Sequence, residues 1–132
     1  MSFLVDTGSS GCLLGPTDVE RLEIDRSRLS GDEIVWGVSG PEHCFVEEGY
    51  LYLVDADTGE QYMYPVPRFL ISRRSPPEPR EDGSVRELPS LLGMELMQHW
   101  RMRFSASEGI VEFDVLHCDF PIPADVEVPG TR

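Results

Sequence analysis

One stretch near the start of the chain constrains the rest of it: residues 2–10, with the sequence SFLVDTGSS. Three apolar residues run directly into Asp6, and a Thr-Gly-Ser turn follows at once. A buried strand that ends on a carboxylate is costly unless that carboxylate is hydrogen-bonded or takes part in chemistry. Thr7 and Ser9 can donate hydrogen bonds to Asp6, and Gly8 has no Cβ that would keep another group away. The stretch therefore predicts a strand that ends on a functional carboxylate.

The same tripeptide occurs again at residues 57–59, and this second copy serves as an internal comparison. Asp and Gly are common turn residues, so an Asp-Thr-Gly sequence alone is weak evidence for catalysis. The second copy lies in a polar setting between two alternating strands, which predicts an ordinary hairpin turn. Only the copy at Asp6 follows an apolar run.

A second informative stretch, residues 88–100 (LPSLLGMELMQHW), puts two apolar residues before a glycine and then a short helical pattern. Taken with residues 2–10, it resembles the retropepsin-like aspartic proteases, and most nearly their bacterial single-domain members. Residues 12–25 (CLLGPTDVERLEID) fit the order of segments that follows the catalytic turn in that family. The resemblance covers residues 2 to about 114. It implies an all-β fold, namely a retropepsin-like closed barrel of a single-lobe acid protease with one or two short helices.

The resemblance also implies roles for individual residues. The catalytic turn would consist of Asp6, Thr7 and Gly8. Seven further residues would contact the polypeptide substrate: Ser9, Trp36, Gly37, Val38, Leu91, Leu92 and Gly93. Ser9 would hold the outer carboxylate oxygen of Asp6. Trp36, Gly37 and Val38 would lie in a flap hairpin over residues 33–42, and residues 91–93 would cross behind the catalytic turn. An ordinary surface hairpin is the alternative for residues 33–42.

Peptide hydrolysis by carboxylates needs two of them, and this chain offers one convincing candidate. Like charges about 3 Å apart cannot both ionise readily, so the two carboxylates share a proton and take different roles. The resemblance therefore implies a homodimer joined through its active-site loops, with Asp6 of each subunit facing a two-fold axis. No metal or other cofactor is expected. Family members carry Arg and then Asp or Asn after the apolar-apolar-Gly segment, where the Arg steadies the dimer, but this chain has Met94 and Glu95 there.

The chain of 132 residues has the length of a single domain. We expect residues 1–118 to form the retropepsin-like domain and residues 119–132 to form an extended C-terminal tail. The family places one or two strands upstream of the catalytic turn, so the domain is expected to lack its N-terminal strand. The pattern also predicts a helix at residues 17–23 with Thr17 as its N-cap. Residues 73–87 predict an exposed Pro-rich loop, with a ligand for another domain as the alternative.

Composition bears on partners and location. A net charge of −13 argues against a nucleic-acid partner, because phosphate binding needs an excess of basic residues. The same charge predicts self-association that strengthens with salt, since salt screens the repulsion between like charges. The longest apolar runs are only a few residues, so we expect no membrane span. Three cysteines without tight spacing are typical of a reducing compartment, so we expect a cytoplasmic location.

Other functions remain open beside a dimeric aspartic endopeptidase. One is a catalytically inactive module of the same fold that dimerises or binds peptides, because the ion-pairing arginine and the upstream strands are missing. Another is a small acidic adaptor whose Asp-Thr-Gly sequence is coincidental. The pairs His43-Cys44 and His117-Cys118 suggest a zinc site, but neighbours on a strand point to opposite faces. A thiol protease built on Cys44 or Cys12 has no local signature.

Overall fold

The computed structural model describes residues 1, 3–37, 40–85, 88–123 and 125–126. The strands in these ranges are β1 (Phe3–Val5), β2 (Leu13–Leu14), β3 (Glu33–Gly37), β4 (Gly40–Val54), β5 (Gln61–Ser72), β6 (Ser90–Leu92), β7 (Trp100–Ser105), β8 (Ile110–Val115) and β9 (Phe120–Ile122). The helices are α1 (Pro16–Arg21) and α2 (Met94–Met97), with one 3-10 turn at Arg26–Arg28. The prediction of a β fold with short helices is confirmed.

The strands form one main sheet and one separate hairpin. The main sheet runs in the order β1-β6-β2-β5-β4-β3, and β9 pairs with β5 beside that path. The pairs β1–β6 and β2–β5 are parallel, and the other pairs are antiparallel. Strands β7 and β8 form the separate antiparallel hairpin. The sequence predicts a closed barrel, whereas the pairing of the described strands leaves an edge at β1 and another at β3, since each has a single neighbour on this path.

The long hairpin of β4 and β5 is the centre of the main sheet. Strand β5 runs through Pro65 and Pro67, where the sequence predicts an edge or a bend. Proline cannot donate to a neighbouring strand, so it is tolerated at free edges and at bulges. The register between β4 and β5 shifts between Glu47 and Gly49, opposite Pro67, whereas Pro65 pairs in register with Tyr50. On its other side, β5 pairs with β9 at residues 61–63 and with β2 at residues 70–71, so both prolines lie between those two pairings.

The turn between β4 and β5 contains the second Asp-Thr-Gly sequence. The Asp55 carboxylate accepts hydrogen bonds from the N–H groups of Thr58 and Asp57, each at 2.8 Å. These bonds lower the pKa of Asp55, and the bond from Thr58 contributes most. Gly59 has a φ of 73°, which glycine adopts readily. The prediction of an ordinary hairpin turn here is confirmed.

The hydrophobic core joins the main sheet to the helices and to the β7–β8 hairpin. Leu96 of α2 and Val66 of β5 are among its most completely buried side chains. Trp100 packs against Tyr64 with 5.5 Å between ring centroids and against Phe113 with 5.0 Å. The contact between Trp100 and Tyr64 attaches the separate hairpin to the main sheet, and the contact between Trp100 and Phe113 lies within the hairpin.

Helix α1 begins earlier and ends earlier than the sequence predicts. Its first residue is Pro16 and its N-cap is Gly15, so the prediction of Thr17 as N-cap is wrong. Proline suits the first helical position because its fixed φ is already helical and its missing N–H would have no helical partner. The last helical residue is Arg21.

A buried polar group fixes the start of α1 against β6. Ser90 is 1% exposed, donates a hydrogen bond to the Asp18 carboxylate at 2.6 Å and accepts one from the Gly15 N–H at 3.0 Å. Asp18 is also buried, and Arg21 lies 3.5 Å from its other carboxylate oxygen. Because Gly15 has no side chain with which to cap the helix, Ser90 holds this end in place from another strand.

Replacing Ser90 by Ala should lower the free energy of unfolding by about 1–3 kcal/mol, because two buried polar partners, Gly15 and Asp18, lose their hydrogen bonds. Urea denaturation measures this change. Ser84→Ala is the matched control, since the Ser84 hydroxyl donates to Asp82 at 2.6 Å in an exposed turn. The control should change the free energy of unfolding by no more than about 0.5 kcal/mol. Equal losses in the two variants would contradict the role given to Ser90.

The Pro-rich segment and the C-terminal segment differ in secondary structure. Residues 73–85 contain no helix or strand, as the Pro-rich sequence predicts, and residues 86–87 lie outside the described ranges. Residues 120–122, which the sequence assigns to the C-terminal tail, form β9 and pair with β5. Within the described ranges, neither α-helix has the length and apolar character that crossing a membrane would require.

Candidate active site

Asp6 is the first residue after β1, and the parallel pairing of β1 with β6 fixes its position. Leu4 pairs with Leu91 and Val5 pairs with Leu92. The Asp6 N–H continues this pattern by donating to the Leu92 carbonyl at 3.1 Å. Asp6 is partly buried, so its carboxylate is held at the end of a strand and still reaches the surface.

The turn after Asp6 holds the carboxylate through backbone groups. The Gly8 N–H donates to Asp6 Oδ1 at 2.9 Å, and the Ser9 N–H donates to the Asp6 carbonyl at 3.1 Å. A Cβ at Gly8 would lie 3.2 Å from the same Oδ1, so glycine leaves room for the close contact between its backbone and the carboxylate. Thr7 and Gly8 are exposed, which leaves this side of the turn available to a partner.

The hydroxyl of Ser9 has a different partner from the one expected. It donates to the Gly11 carbonyl at 2.9 Å, whereas the sequence predicts a bond to the outer carboxylate oxygen of Asp6. The Ser9 N–H already bonds back to Asp6, and the side chain extends forward along the chain. Ser9 therefore stabilises the shape of the turn in the single chain.

The segment of Leu91, Leu92 and Gly93 lies directly beside this turn, in the place the sequence predicts for it. Leu92 is buried and Leu91 is partly buried. A Cβ at Gly93 would lie 2.1 Å from the carbonyl oxygen of Gly11, a separation that no side-chain carbon can occupy. The close approach is thus between two backbones, and glycine is required for it.

Helix α2 completes the support of the turn. The N–H groups of Met94 and Glu95 donate to the carbonyls of Ser9 and Ser10, each at 2.8 Å. The first N–H groups of a helix have no partner within the helix, and here the segment after Asp6 supplies two acceptors. The turn, β6 and α2 therefore form one hydrogen-bonded unit.

The hairpin of β3 and β4 lies where the sequence predicts a flap. Trp36 pairs with Pro41, and Gly37 pairs with Gly40, which has a φ of 106°. The Trp36 side chain is 76% exposed, so its indole is available for an apolar contact. Val38, the remaining flap residue expected to contact substrate, lies outside the described residues. The hairpin itself is observed, and its function as a flap stays a prediction.

A cavity of about 230 Å³ adjoins the turn, and most of its residues were missed by sequence reasoning. Its lining consists of Ser10, Gly11, Glu33, Arg68, Leu70 and Glu95. Arg68 and Glu33 form an ion pair. The lining comes from four separate segments, and no local pattern in the sequence indicates that they meet.

The cysteines and histidines that could suggest other chemistry have ordinary surroundings. Burial, and then the charge of Glu42, raises the pKa of the Cys44 thiol to about 11. Burial also raises the pKa of the Cys12 thiol. A raised pKa disfavours the thiolate that a nucleophilic cysteine needs. His43 lies 3.2 Å from the carboxylate of Asp32, on the exposed side of β4.

Comparison with known proteins yields a likeness of fold. No protein-family model matches the chain, and no curated protein matches it. Among solved structures, the chain is similar to a retropepsin-like aspartic protease from Rickettsia conorii. The two are 20% identical, the match covers 78% of this chain and 72% of that chain, and the TM-score is 0.46.

Proposed function

We propose that the chain is an aspartic endopeptidase whose active site forms between two copies, each contributing Asp6. The observation that carries this proposal is the turn itself, in which a partly buried carboxylate follows a strand and accepts the Gly8 N–H at 2.9 Å. Thr7 and Gly8 are exposed beside it. Such a turn can approach its own copy across a two-fold axis, since Gly8 adds no side chain at the contact.

The proposed mechanism uses the two carboxylates in different protonation states. Two Asp6 side chains about 3 Å apart share one proton, because both cannot ionise readily. The ionised carboxylate takes a proton from water, and the protonated one donates a hydrogen bond to the scissile carbonyl. The water oxygen bonds to the carbonyl carbon, the C–N bond then breaks, and the leaving amine takes a proton from the pair. Thr7 links the two turns by hydrogen bonds, while Ser9 stabilises the shape of each turn through its hydrogen bond to the Gly11 carbonyl.

The proposed substrate is an extended polypeptide that lies between the two turns and the β3–β4 hairpins. Hairpin strands offer backbone groups that can pair with such a chain, and Trp36 and Val38 offer apolar contacts next to Gly37. The segment of residues 91–93 forms the floor of the site. We place this activity in the cytoplasm, because Cys12 and the other two cysteines are free thiols.

A second candidate function is a catalytically inactive module of the same fold that dimerises or binds peptides. The observation that favours it is Met94, which is 43% exposed at the position where the family carries an ion-pairing arginine. Methionine cannot supply that ion pair, so a weaker dimer would leave the two Asp6 turns apart at low concentration. Sedimentation of such an inactive module would show dimers that form only as the chain concentration is raised.

The proposal predicts that cleavage of an unfolded protein between about pH 4 and 7 rises faster than linearly with chain concentration. If most chains are monomeric, the initial rate depends on the square of the concentration, because two copies form each site. Adding salt at a fixed chain concentration should raise the rate, since the net charge of −13 on each copy is screened.

The control for this experiment is a mixture of the wild-type chain with an excess of the Asp6→Asn chain. Mixed dimers carry a single Asp6 carboxylate, so the rate per wild-type chain should fall as the variant is added. A rate that is proportional to chain concentration and is unaffected by the variant would rule out a shared site. No cleavage, combined with dimers in sedimentation, would favour the inactive module, and no cleavage without dimers would favour the acidic adaptor.

A further inference from the structure

The cavity next to the Asp6 turn is bounded by the elements that would surround a bound polypeptide. Ser10 and Gly11 continue the chain from the turn, and Glu33 is the first residue of β3, at the base of the hairpin. Leu70 of β5 and Glu95 of α2 belong to the same lining. A polypeptide that crosses Asp6 beneath the hairpin would therefore pass along this cavity and could place a side chain in it.

The cavity is kept open by a glycine. A methyl group at Gly11 would lie 3.7 Å from Leu70 Cδ1 and 3.8 Å from Glu95 Oε2. Those are ordinary contact distances, so the space that a side chain would occupy is bordered by an apolar carbon on one side and a carboxylate oxygen on the other. This combination suits a side chain with an aliphatic stem and a charged end.

The charges that line the cavity leave one carboxylate in excess. Arg68 is engaged in an ion pair with Glu33. Glu95, partly buried, forms no ion pair with any residue that the structure describes, and Gln98 donates to its backbone carbonyl rather than to its carboxylate. A partly buried carboxylate gains more from a cation than an exposed one does, because water screens it less.

We propose that Glu95 makes this cavity a side-chain subsite that selects lysine or arginine in the polypeptide substrate. The aliphatic stem packs on Leu70, and the cationic end pairs with the Glu95 carboxylate. This inference rests on the proposed endopeptidase function and adds a specificity-determining residue, Glu95, that the family resemblance does not supply.

Cleavage-site profiling tests the subsite. An unfolded protein is digested with the wild-type chain and with Glu95→Gln, and the residues on either side of each cut are identified by mass spectrometry. The wild type should show Lys and Arg enriched at one fixed position near the scissile bond, and Glu95→Gln should lower that enrichment about fivefold. Arg68→Gln should raise the enrichment of Lys and Arg, because Glu33 loses its partner and the cavity gains a second free carboxylate.

Glu108→Gln is the matched control for charge. It removes one negative charge from the exposed turn between β7 and β8 and should leave the profile unchanged. If Glu95→Gln leaves the enrichment intact while cleavage continues, the subsite is refuted and the endopeptidase function stands. If Glu95→Gln and Glu108→Gln lower the enrichment equally, the preference comes from the overall charge and the subsite is refuted as well.

If the wild-type chain does not cleave, a binding measurement tests the proposed subsite. The amide signals of Ser10, Gly11 and Glu95 are followed by NMR while Nα-acetyl-arginine amide is added, with Nα-acetyl-citrulline amide as the uncharged comparison. Shifts of these three signals with the arginine derivative, and not with the citrulline derivative, would support the subsite. Their absence would refute it, whatever the outcome for catalysis.

Discussion

Replacement of Asp6 by Asn should reduce the cleavage of an unfolded protein by about 10³-fold or more. Asparagine has nearly the same size, and its side-chain oxygen can still accept the hydrogen bond that the Gly8 N–H donates at 2.9 Å. It cannot carry the shared proton, and every dimer of the variant lacks both carboxylates. Initial rates across about pH 4 to 7, at a chain concentration that gives a robust wild-type rate, measure the effect.

Asp57→Asn is the matched control for this prediction, because Asp57 begins the second Asp-Thr-Gly sequence. That copy lies in the exposed turn between β4 and β5, and it is the N–H of Asp57 that bonds to Asp55. The control should retain the full cleavage rate, and both variants should unfold within about 0.5 kcal/mol of the wild type. Full activity of Asp6→Asn, or an equal loss in both variants, would show that Asp6 does not carry the chemistry.

Local sequence patterns were sufficient for the parts of the site that depend on neighbouring residues. The apolar run before Asp6 predicted β1 and the turn after it, and the polar surroundings of residues 57–59 predicted a hairpin turn there. These predictions succeed because strand periodicity and turn preferences act over a few residues. The crossing of residues 91–93 behind the turn was instead expected from the family resemblance, and Gly93 makes a close backbone approach there.

Contacts between distant segments account for the parts that the sequence could not predict. The start of α1 at Pro16 is fixed in part by Ser90, which is 75 positions away from its partner Gly15. The cavity brings Glu33 and Glu95 together from β3 and α2. No local pattern states which segments become neighbours, so the cap of α1 and the charged lining of the cavity required the structure.

Replacement of Gly93 by Ala should lower the free energy of unfolding by about 3 kcal/mol or more. Gly93 has a φ of −100° and a ψ of 178°, which alanine adopts without strain, so the effect must come from a steric contact. The new Cβ would lie 2.1 Å from the Gly11 carbonyl oxygen and 2.7 Å from its carbon. The backbone on either side is hydrogen-bonded to the Asp6 turn, at 3.1 Å before Gly93 and at 2.8 Å after it, and so cannot move away easily.

Gly11→Ala is the matched control, because Gly11 is the other partner in the same backbone contact. Its Cβ would meet Leu70 and Glu95 at 3.7 and 3.8 Å, and its φ is not left-handed, so urea denaturation should show a change within about 1 kcal/mol. The same methyl group should therefore destabilise the chain severely at Gly93 and hardly at all at Gly11. Any Gly93→Ala chain that stays folded should also cleave poorly, because the clash displaces the segment that positions Asp6. Similar stabilities for the two variants would mean that this backbone approach does not hold the turn in place.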